Sequence, residues 1–144
     1  MDVYSLPWQP DSTPVRTFSV SIGGIGGVFP GVGSLNIDPI ARELYVGVND
    51  APLYSFVNVY GLAASGADPA PVRTLGLSGS DSALALAIDP DHGVVGVLSS
   101  GGTLMTFPRT WTSDTLAPLT TISLPQGFAR TTMVANTKPL AYCP

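Results

Sequence analysis

Two short motifs recur along this chain, and their recurrence limits what it can fold into more than any other feature. Ile37-Asp38-Pro39 returns 51 residues later as Ile88-Asp89-Pro90. Pro71-Val72-Arg73-Thr74-Leu75 has an earlier copy in Pro14-Val15-Arg16-Thr17-Phe18 and a weaker later copy that begins at Pro118. Motifs that recur at matching places within longer copies indicate an internally repeated structure.

Segment 34–77 shows what one repeat contains. It holds four apolar runs of strand length, separated by turn sequences rich in Asp, Pro, Asn and Gly. Leu35 and Ile37 alternate with polar residues, whereas the run from Leu44 to Val46 is apolar enough for burial on both faces. Pro or Gly interrupts every candidate helical window. The sequence therefore predicts an all-β fold, with one four-stranded antiparallel sheet per repeat.

Composition excludes several classes of protein. The 144 residues suffice for a domain with its own core, and 44% hydrophobic against 11% charged residues is too apolar for a disordered chain. The net charge is −4 and the arginines are scattered, so nucleic acid is not an expected partner. No apolar run approaches the roughly 18 residues that a membrane span needs, so no membrane association is expected.

The beginning of the chain and its one cysteine give weaker expectations. Met1-Asp2 begins directly in a strand pattern without a basic segment and an apolar core, so no export signal is predicted, and a signal already removed stays open. Cys143 has no second cysteine for an intrachain disulfide. A partly buried thiol at a strand end is the favoured interpretation, and an interchain disulfide is the alternative.

A repeat of about 40–50 residues with four strands is typical of a β-propeller blade. The chain resembles the NHL-like repeats of bacterial β-propeller proteins along nearly its whole length. The matching motifs are Val59-Tyr60, Pro71-Val72-Arg73-Thr74-Leu75, Ala87 to Gly93 and Leu44-Tyr45-Val46. The resemblance implies a propeller fold and leaves function open, because the family includes enzymes, protein binders and scaffolds. It also favours a secreted or cell-surface bacterial protein.

The blade boundaries predict how the propeller closes. Residues 33–77 and 83–124 form two full blades, each running from an inner Asp-Pro strand to an outer Pro-x-x-Thr strand. Residues 1–21 supply the third and fourth strands of a split blade, and residues 128–144 supply a first and second strand. About three blades are too few for a ring of the usual four to eight. Because two-fold assemblies are the commonest oligomers, a homodimer with six blades is predicted. A nine-bladed trimer, docking onto another propeller fragment, and a piece of a longer propeller are the alternatives.

A search for reactive groups finds few candidates. No Gly-x-Ser-x-Gly motif is present, and a single His and a single Cys cannot form a zinc site. Asp38 and Asp89 occupy matching positions and could place four acids near the axis of a dimer, where hard oxygen ligands suit Ca²⁺. Asn136 is a further ligand candidate. The favoured interpretation is that each Asp caps its own turn, as the sequence from Asp89 to Gly93, which includes His92, indicates.

Two aromatic and two basic residues recur at matching places. Trp8 and Trp111 each follow a third strand, and exposed indoles there would suit carbohydrate or protein contact. The favoured interpretation is that they cover the outer end of the sheet. Arg16 and Arg73 lie in the outer strands, where a charge is expected to prevent edge-to-edge aggregation.

Two function classes follow. The first is a noncatalytic propeller scaffold or binding module, whose ligand could be a small molecule, a carbohydrate or a protein. The second is a metal-dependent lactonase-like hydrolase with inward acidic residues on the propeller axis. A reduced propeller piece that only assembles is a third interpretation, which the sequence does not separate from the first.

Overall fold

The computed structural model describes residues 2–3, 13–14, 16–19, 31–50, 54–77 and 83–125. These ranges form strands and turns and contain no helix, so the predicted all-β fold is confirmed for the described part of the chain. Within the same ranges there is accordingly no helix that could cross a bilayer. The segment 128–144, which was predicted to complete a split blade, lies outside the described residues.

Two four-stranded antiparallel sheets account for most of the described residues. The first sheet consists of β3 (Gly31–Asp38), β4 (Glu43–Asp50), β5 (Tyr54–Gly61) and β7 (Arg73–Leu77), side by side in that order. The second sheet consists of β8 (Ala83–Asp89), β9 (Val94–Ser99), β10 (Thr103–Pro108) and β11 (Thr120–Ser123). The predicted four-stranded antiparallel sheets are thus confirmed.

The two sheets are copies of each other at the level of individual residue pairs. Leu35 lies opposite Val46 in the first sheet, and Leu86 lies opposite Val97 in the second. A β-bulge interrupts both inner pairings at the same place, between Val32 and Ser34 and between Ala83 and Ala85. A bulge leaves one residue unpaired and bends its strand, so its recurrence shows that the repeats share local irregularities as well as strand order.

The sheets pack face to face and enclose one apolar core. Its buried members from the first sheet are Tyr45, Val57, Val59, Leu75 and Leu77, and those from the second are Ala83, Leu86, Ile88, Val95, Val97, Phe107 and Trp111. We call the face of a sheet that packs on the following sheet its trailing face, and the opposite face its leading face. Each aliphatic side chain fully buried here contributes about 1.5–3 kcal/mol relative to exposure.

A second cluster lies on the leading face of the first sheet. Leu44, Val46, Val48 and Tyr60 are all buried there, and Phe56 and Leu62 pack partly against them. Opposite residues of an antiparallel pair share a face, whereas neighbours along one strand do not. Tyr45 therefore belongs to the trailing face, between Leu44 and Val46 on the leading face. The apolar run from Leu44 to Val46 is buried on both faces, as its composition predicted.

A short hairpin near the amino terminus reproduces the outer half of a sheet. β1 (Asp2–Val3) pairs antiparallel with β2 (Arg16–Ser19), with Val3 opposite Arg16. In the first sheet, Val59 lies opposite Arg73 in the same way. β2 also pairs in parallel with β6 (Gly66–Ala67), a two-residue strand in the connection from β5 to β7.

The turns that follow the two inner strands have the same left-handed backbone at the matching place, but different residues adopt it. Gly93 has a φ of 66°, and Arg42, at the matching place in the first sheet, has a φ of 58°. Left-handed backbone costs a residue with a Cβ roughly 1–2 kcal/mol, and glycine avoids this cost. The first sheet therefore carries local strain that the second sheet does not.

This difference predicts opposite effects of two single substitutions. Gly93→Ala should lower the free energy of unfolding by about 1 kcal/mol, and steric crowding will not add to this, because no atom lies within 4 Å of an added Cβ. Arg42→Gly should leave stability unchanged or raise it. Urea unfolding of both variants beside the parent protein measures the difference, and a destabilised Arg42→Gly variant would contradict the strain.

Candidate functional site

The densest group of polar contacts lies at the junction of the two sheets and is centred on Arg73. Its guanidinium donates to both carboxylate oxygens of Glu43, at 2.8 and 2.7 Å, and to the Tyr45 hydroxyl at 3.2 Å. The central carbon of the guanidinium, Cζ, lies 5.3 Å from the centre of the Trp111 ring. Two parallel N–H bonds to one carboxylate are a strong, directional form of ion pair, and the aromatic face adds a cation–π attraction.

Trp111 joins the second sheet to this group. Its side chain is buried, its Nε1 donates to the Thr74 carbonyl at 2.9 Å, and its ring meets Tyr45 edge to face at 6.1 Å. The indole is therefore committed to the contact between sheets and does not present a face to solvent. Trp8, the other tryptophan predicted to contact a ligand or partner, lies outside the described residues.

The local surroundings change the protonation of this group. Burial, and then the negative charge of Glu43, raise the pKa of Tyr45 well above its ordinary range. The hydrogen bond to Glu43 raises the pKa of Arg73. The phenol of Tyr45 is thus held neutral as a hydrogen-bond donor, and it is not prepared as a base or nucleophile.

The Arg73 contacts bear on the role that the sequence predicted for this residue. Arg73 lies in the outer strand of the first sheet, as predicted, but only 21% of its side-chain surface is exposed and it is paired inward with Glu43. Its effect on edge-to-edge aggregation stays a prediction. The side chain of Arg16 lies outside the described residues.

Asp38 lies at a second polar contact between the sheets. Its carboxylate accepts N–H bonds from Ile40 and Ala41, both at 2.9 Å, and pairs with Arg109 of the second sheet at 2.6 Å. The residue is fully buried. Asp38 therefore caps its own turn, as the motif indicated, and also joins the two sheets, which no local motif could indicate.

Asp89 caps the matching turn of the second sheet but makes no such contact between sheets among the described residues. The backbone N–H of His92 donates to it at 3.1 Å, and His92 Nδ1 lies 2.6 Å from its second carboxylate oxygen. These hydrogen bonds from His92 lower the pKa of Asp89. Its side chain is 44% exposed, so the pair lies at the surface.

The two aspartates bear on the predicted metal site. Within the ranges that the structure describes, no three His, Cys, Asp or Glu side chains come together. Asp38 directs its oxygens to two N–H groups and a guanidinium, so a metal would have to displace Arg109 to reach that carboxylate fully. Asn136 falls outside the described residues.

An apolar cleft opens between the outer strand of the first sheet, β10 of the second sheet and the connection from β10 to β11. It has a volume of about 550 Å³ and is lined by Gly76, Leu77, Met105, Phe107, Thr115, Leu116, Ala117 and Pro118. The cleft is largely hydrocarbon, with the Thr115 hydroxyl and backbone groups as its polar elements. Concave apolar sites of this size suit small apolar ligands, so the cleft is a candidate ligand site that no sequence motif indicated.

Comparison of the chain with protein-family models, with curated proteins and with solved structures gave no match. The resemblance to NHL-like repeats therefore stays a prediction.

Substitutions at the two aspartates should separate the contact between sheets from turn capping. Asp38→Asn keeps one oxygen for the turn but leaves Arg109 without its anion, so we expect a loss of about 1.5–3 kcal/mol in the free energy of unfolding. Asp89→Asn is the matched control, and the exposure of this carboxylate predicts little change. Urea unfolding at neutral pH measures both, and equal losses would show that the pair of Asp38 with Arg109 contributes nothing beyond the turn.

The raised pKa values predict resistance to alkaline titration. Burial also raises the pKa of Tyr60, so Tyr45 and Tyr60 should both stay protonated where a free phenol, of pKa about 10, ionises. Because both pKa values are raised on folding, their stabilising contribution is complete below about pH 10 and declines above it. Tyrosinate absorbance near pH 10 should therefore be lower in the folded protein than in the urea-unfolded chain. Tyr45→Phe should narrow that difference, and an unchanged difference would contradict the burial effect.

Proposed function

We propose that the protein is a noncatalytic β-propeller scaffold or binding module that closes into a ring from more than one chain. The observation that carries this proposal is a single packing step that occurs twice among the described residues. A step that repeats in one direction generates the radial array of sheets found in propellers.

The first occurrence of the step lies between the two sheets. The connection from β10 to β11 crosses to the outer strand of the first sheet, where the Gly76 N–H donates to the Asp114 carbonyl at 2.6 Å. A Cβ on Gly76 would lie only 3.0 Å from that oxygen. A side chain at this position would therefore force the connection away from the first sheet.

The second occurrence lies between the first sheet and the amino-terminal hairpin. The connection from β5 to β7 crosses to β2, where Ala67 pairs with Ser19. When the repeats are aligned, Ser19 matches Gly76 and Ala67 matches Asp114. The hairpin is therefore related to the first sheet as the first sheet is related to the second, and it supplies the outer half of a preceding repeat.

The polar groups of the described residues support a noncatalytic assignment. Arg73, Glu43 and Tyr45 bind one another, and Asp38 binds Arg109 and its own turn. Each of these groups has a structural partner, and none points into the apolar cleft. The cleft fits a binding role better than a reaction, because its lining provides no acid, base or metal ligand.

The alternative function, a metal-dependent hydrolase, would require a divalent ion. Metal analysis of the purified protein tests this directly, since one stoichiometric divalent ion per chain, lost together with stability on chelation, would contradict the noncatalytic assignment.

The native mass tests the proposed ring. One chain has a mass of 14.9 kDa, and we expect light scattering on a sizing column to give twice this value, as a six-bladed ring requires. A three-fold mass would support the nine-bladed ring instead. A monomer that persists as the protein concentration is raised would contradict closure by more than one chain.

A further inference from the structure

Matching residues of the two sheets differ sharply in exposure. Leu86 and Ile88 of β8 are each 3% exposed, because they lie on the leading face of the second sheet and pack on the first. Leu35 and Ile37 hold the same positions in β3, with the same opposite pairings, yet they are 52% and 51% exposed. Because the two strands match in register, this difference indicates a neighbour that the second sheet has and the first sheet lacks.

The exposed area covers only the inner part of that face. Val32 lies opposite Val48 on the same face and is 50% exposed, so Val32, Leu35 and Ile37 form a continuous row on β3, which we call the inner patch. The residues beside it toward the outer strands are 0–3% exposed, namely Leu44, Val46, Val48 and Tyr60. The leading face is therefore closed on its outer side and open on its inner side.

The trailing face of the second sheet, at the other end of the pair of sheets, shows the opposite distribution of exposed residues. Leu75, on the trailing face of the first sheet, is fully buried, whereas Ile122 at the same position of the second sheet is 49% exposed. On that same face, Ala85 and Leu98 of the inner strands are 7% and 2% exposed. The trailing end is therefore open on its outer side and closed on its inner side.

The chemistry of the missing neighbour follows from what is already present. β1 and β2 stand in the place of an outer pair of strands, so the inner patch lacks an inner pair. Residues 128–144 carry that pattern, because Met133-Val134-Ala135 matches the sequence from Ala87 to Asp89, and Leu140 to Cys143 matches the sequence from Val94 to Val97. This segment is apolar enough to cover three aliphatic side chains.

The source of this segment follows from the positions of the two sites. The amino-terminal hairpin packs beside the first sheet, whereas residues 128–144 follow β11 of the second sheet, so the two sites lie at opposite ends of the stack. Residues 128–144 joined to the hairpin of their own chain would make a three-bladed ring, below the usual four to eight blades. We infer that the inner patch of Val32, Leu35 and Ile37 is a docking site for residues 128–144 of a second copy, in a head-to-tail contact. This inference rests on the proposed function and specifies which surface of the chain makes the contact.

Charge placed in the inner patch tests this surface. Leu35→Lys combined with Ile37→Lys should raise the dissociation constant of the dimer about 30-fold or more, as expected for hot-spot residues at the centre of an interface. Leu119→Lys is the matched control, because Leu119 is 61% exposed but lies before β11, away from the inner patch. Analytical ultracentrifugation measures the dissociation constants, and far-UV circular dichroism checks that each variant is folded.

A full-strength dimer of the folded double variant would overturn the inference and leave the proposed ring intact. A parent protein that is monomeric throughout would overturn the ring itself. If the double variant fails to fold, Leu35→Ser combined with Ile37→Ser repeats the test without added charge, and the same two outcomes decide it.

Thiol cross-linking tests which chain fills the patch. Tyr142 matches Tyr45, which faces the second sheet from the first, so the inference places Tyr142 toward the inner patch of the other copy. Ile37→Cys combined with Tyr142→Cys and Cys143→Ser, treated with a short bismaleimide, should give a covalent dimer in which residue 37 is joined to residue 142, identified by peptide mass spectrometry. Leaving out Tyr142→Cys should abolish that linkage.

The same experiment has two contrary outcomes. A linkage between residues 37 and 142 within one chain, with monomer mass on a denaturing gel, would show that the chain's own segment covers the patch and would overturn docking of a second copy. A native dimer that forms no linkage between these residues would also overturn it, and would leave the proposed ring to be closed through another surface.

Discussion

The structure depends on the contact between the faces of neighbouring sheets. Both faces of the first sheet are apolar, because β4 alternates Tyr45 on one face with Leu44 and Val46 on the other, and all three are buried. A sheet with one polar face can end a structure, whereas a sheet with two apolar faces needs a neighbour on each side. The second sheet covers the trailing face of the first sheet. The faces that still need a neighbour are the leading face of the first sheet and the trailing face of the second. The repeated fold and the proposed assembly would thus have the same physical origin.

Apolar contacts at this junction stabilise the packing of the two sheets, and polar contacts fix the position of one sheet relative to the other. Hydrophobic burial is non-directional, so it would tolerate sliding of one sheet over the other. The Asn36 side chain donates to the Leu86 carbonyl at 3.0 Å, Trp111 donates to Thr74, and Arg109 binds Asp38. These bonds are spread from the inner strand to the outer strand, so they fix the relative position of the two sheets along their whole width.

Much of the fold could be predicted from the sequence, because strands, turns and repeats are local patterns. The alternation around Leu35, the Asp-Pro turns and the recurring Pro-Val-Arg-Thr motif were enough to predict four-stranded antiparallel sheets in the observed strand order. The contacts between sheets could not be predicted, because they join residues far apart in the chain. The same holds for Arg73 within the first sheet, since its partner Glu43 lies two strands away and 30 residues earlier. The residues that bury Trp111 could not be identified either, since the sheet that supplies them comes earlier in the sequence. The apolar cleft, likewise, exists only where the two sheets meet.

The pair of Asp38 with Arg109 determines the order in which sheets can stack. The first sheet carries Leu62 at the position that Arg109 holds in the second. If two first sheets stacked on each other, the buried carboxylate of one would face an aliphatic side chain of the other, and an unpaired buried charge costs several kcal/mol. Homotypic stacking is therefore disfavoured even though the two repeats share their strand register. The ion pair thus selects the second sheet, rather than another first sheet, as the neighbour of the trailing face of the first sheet.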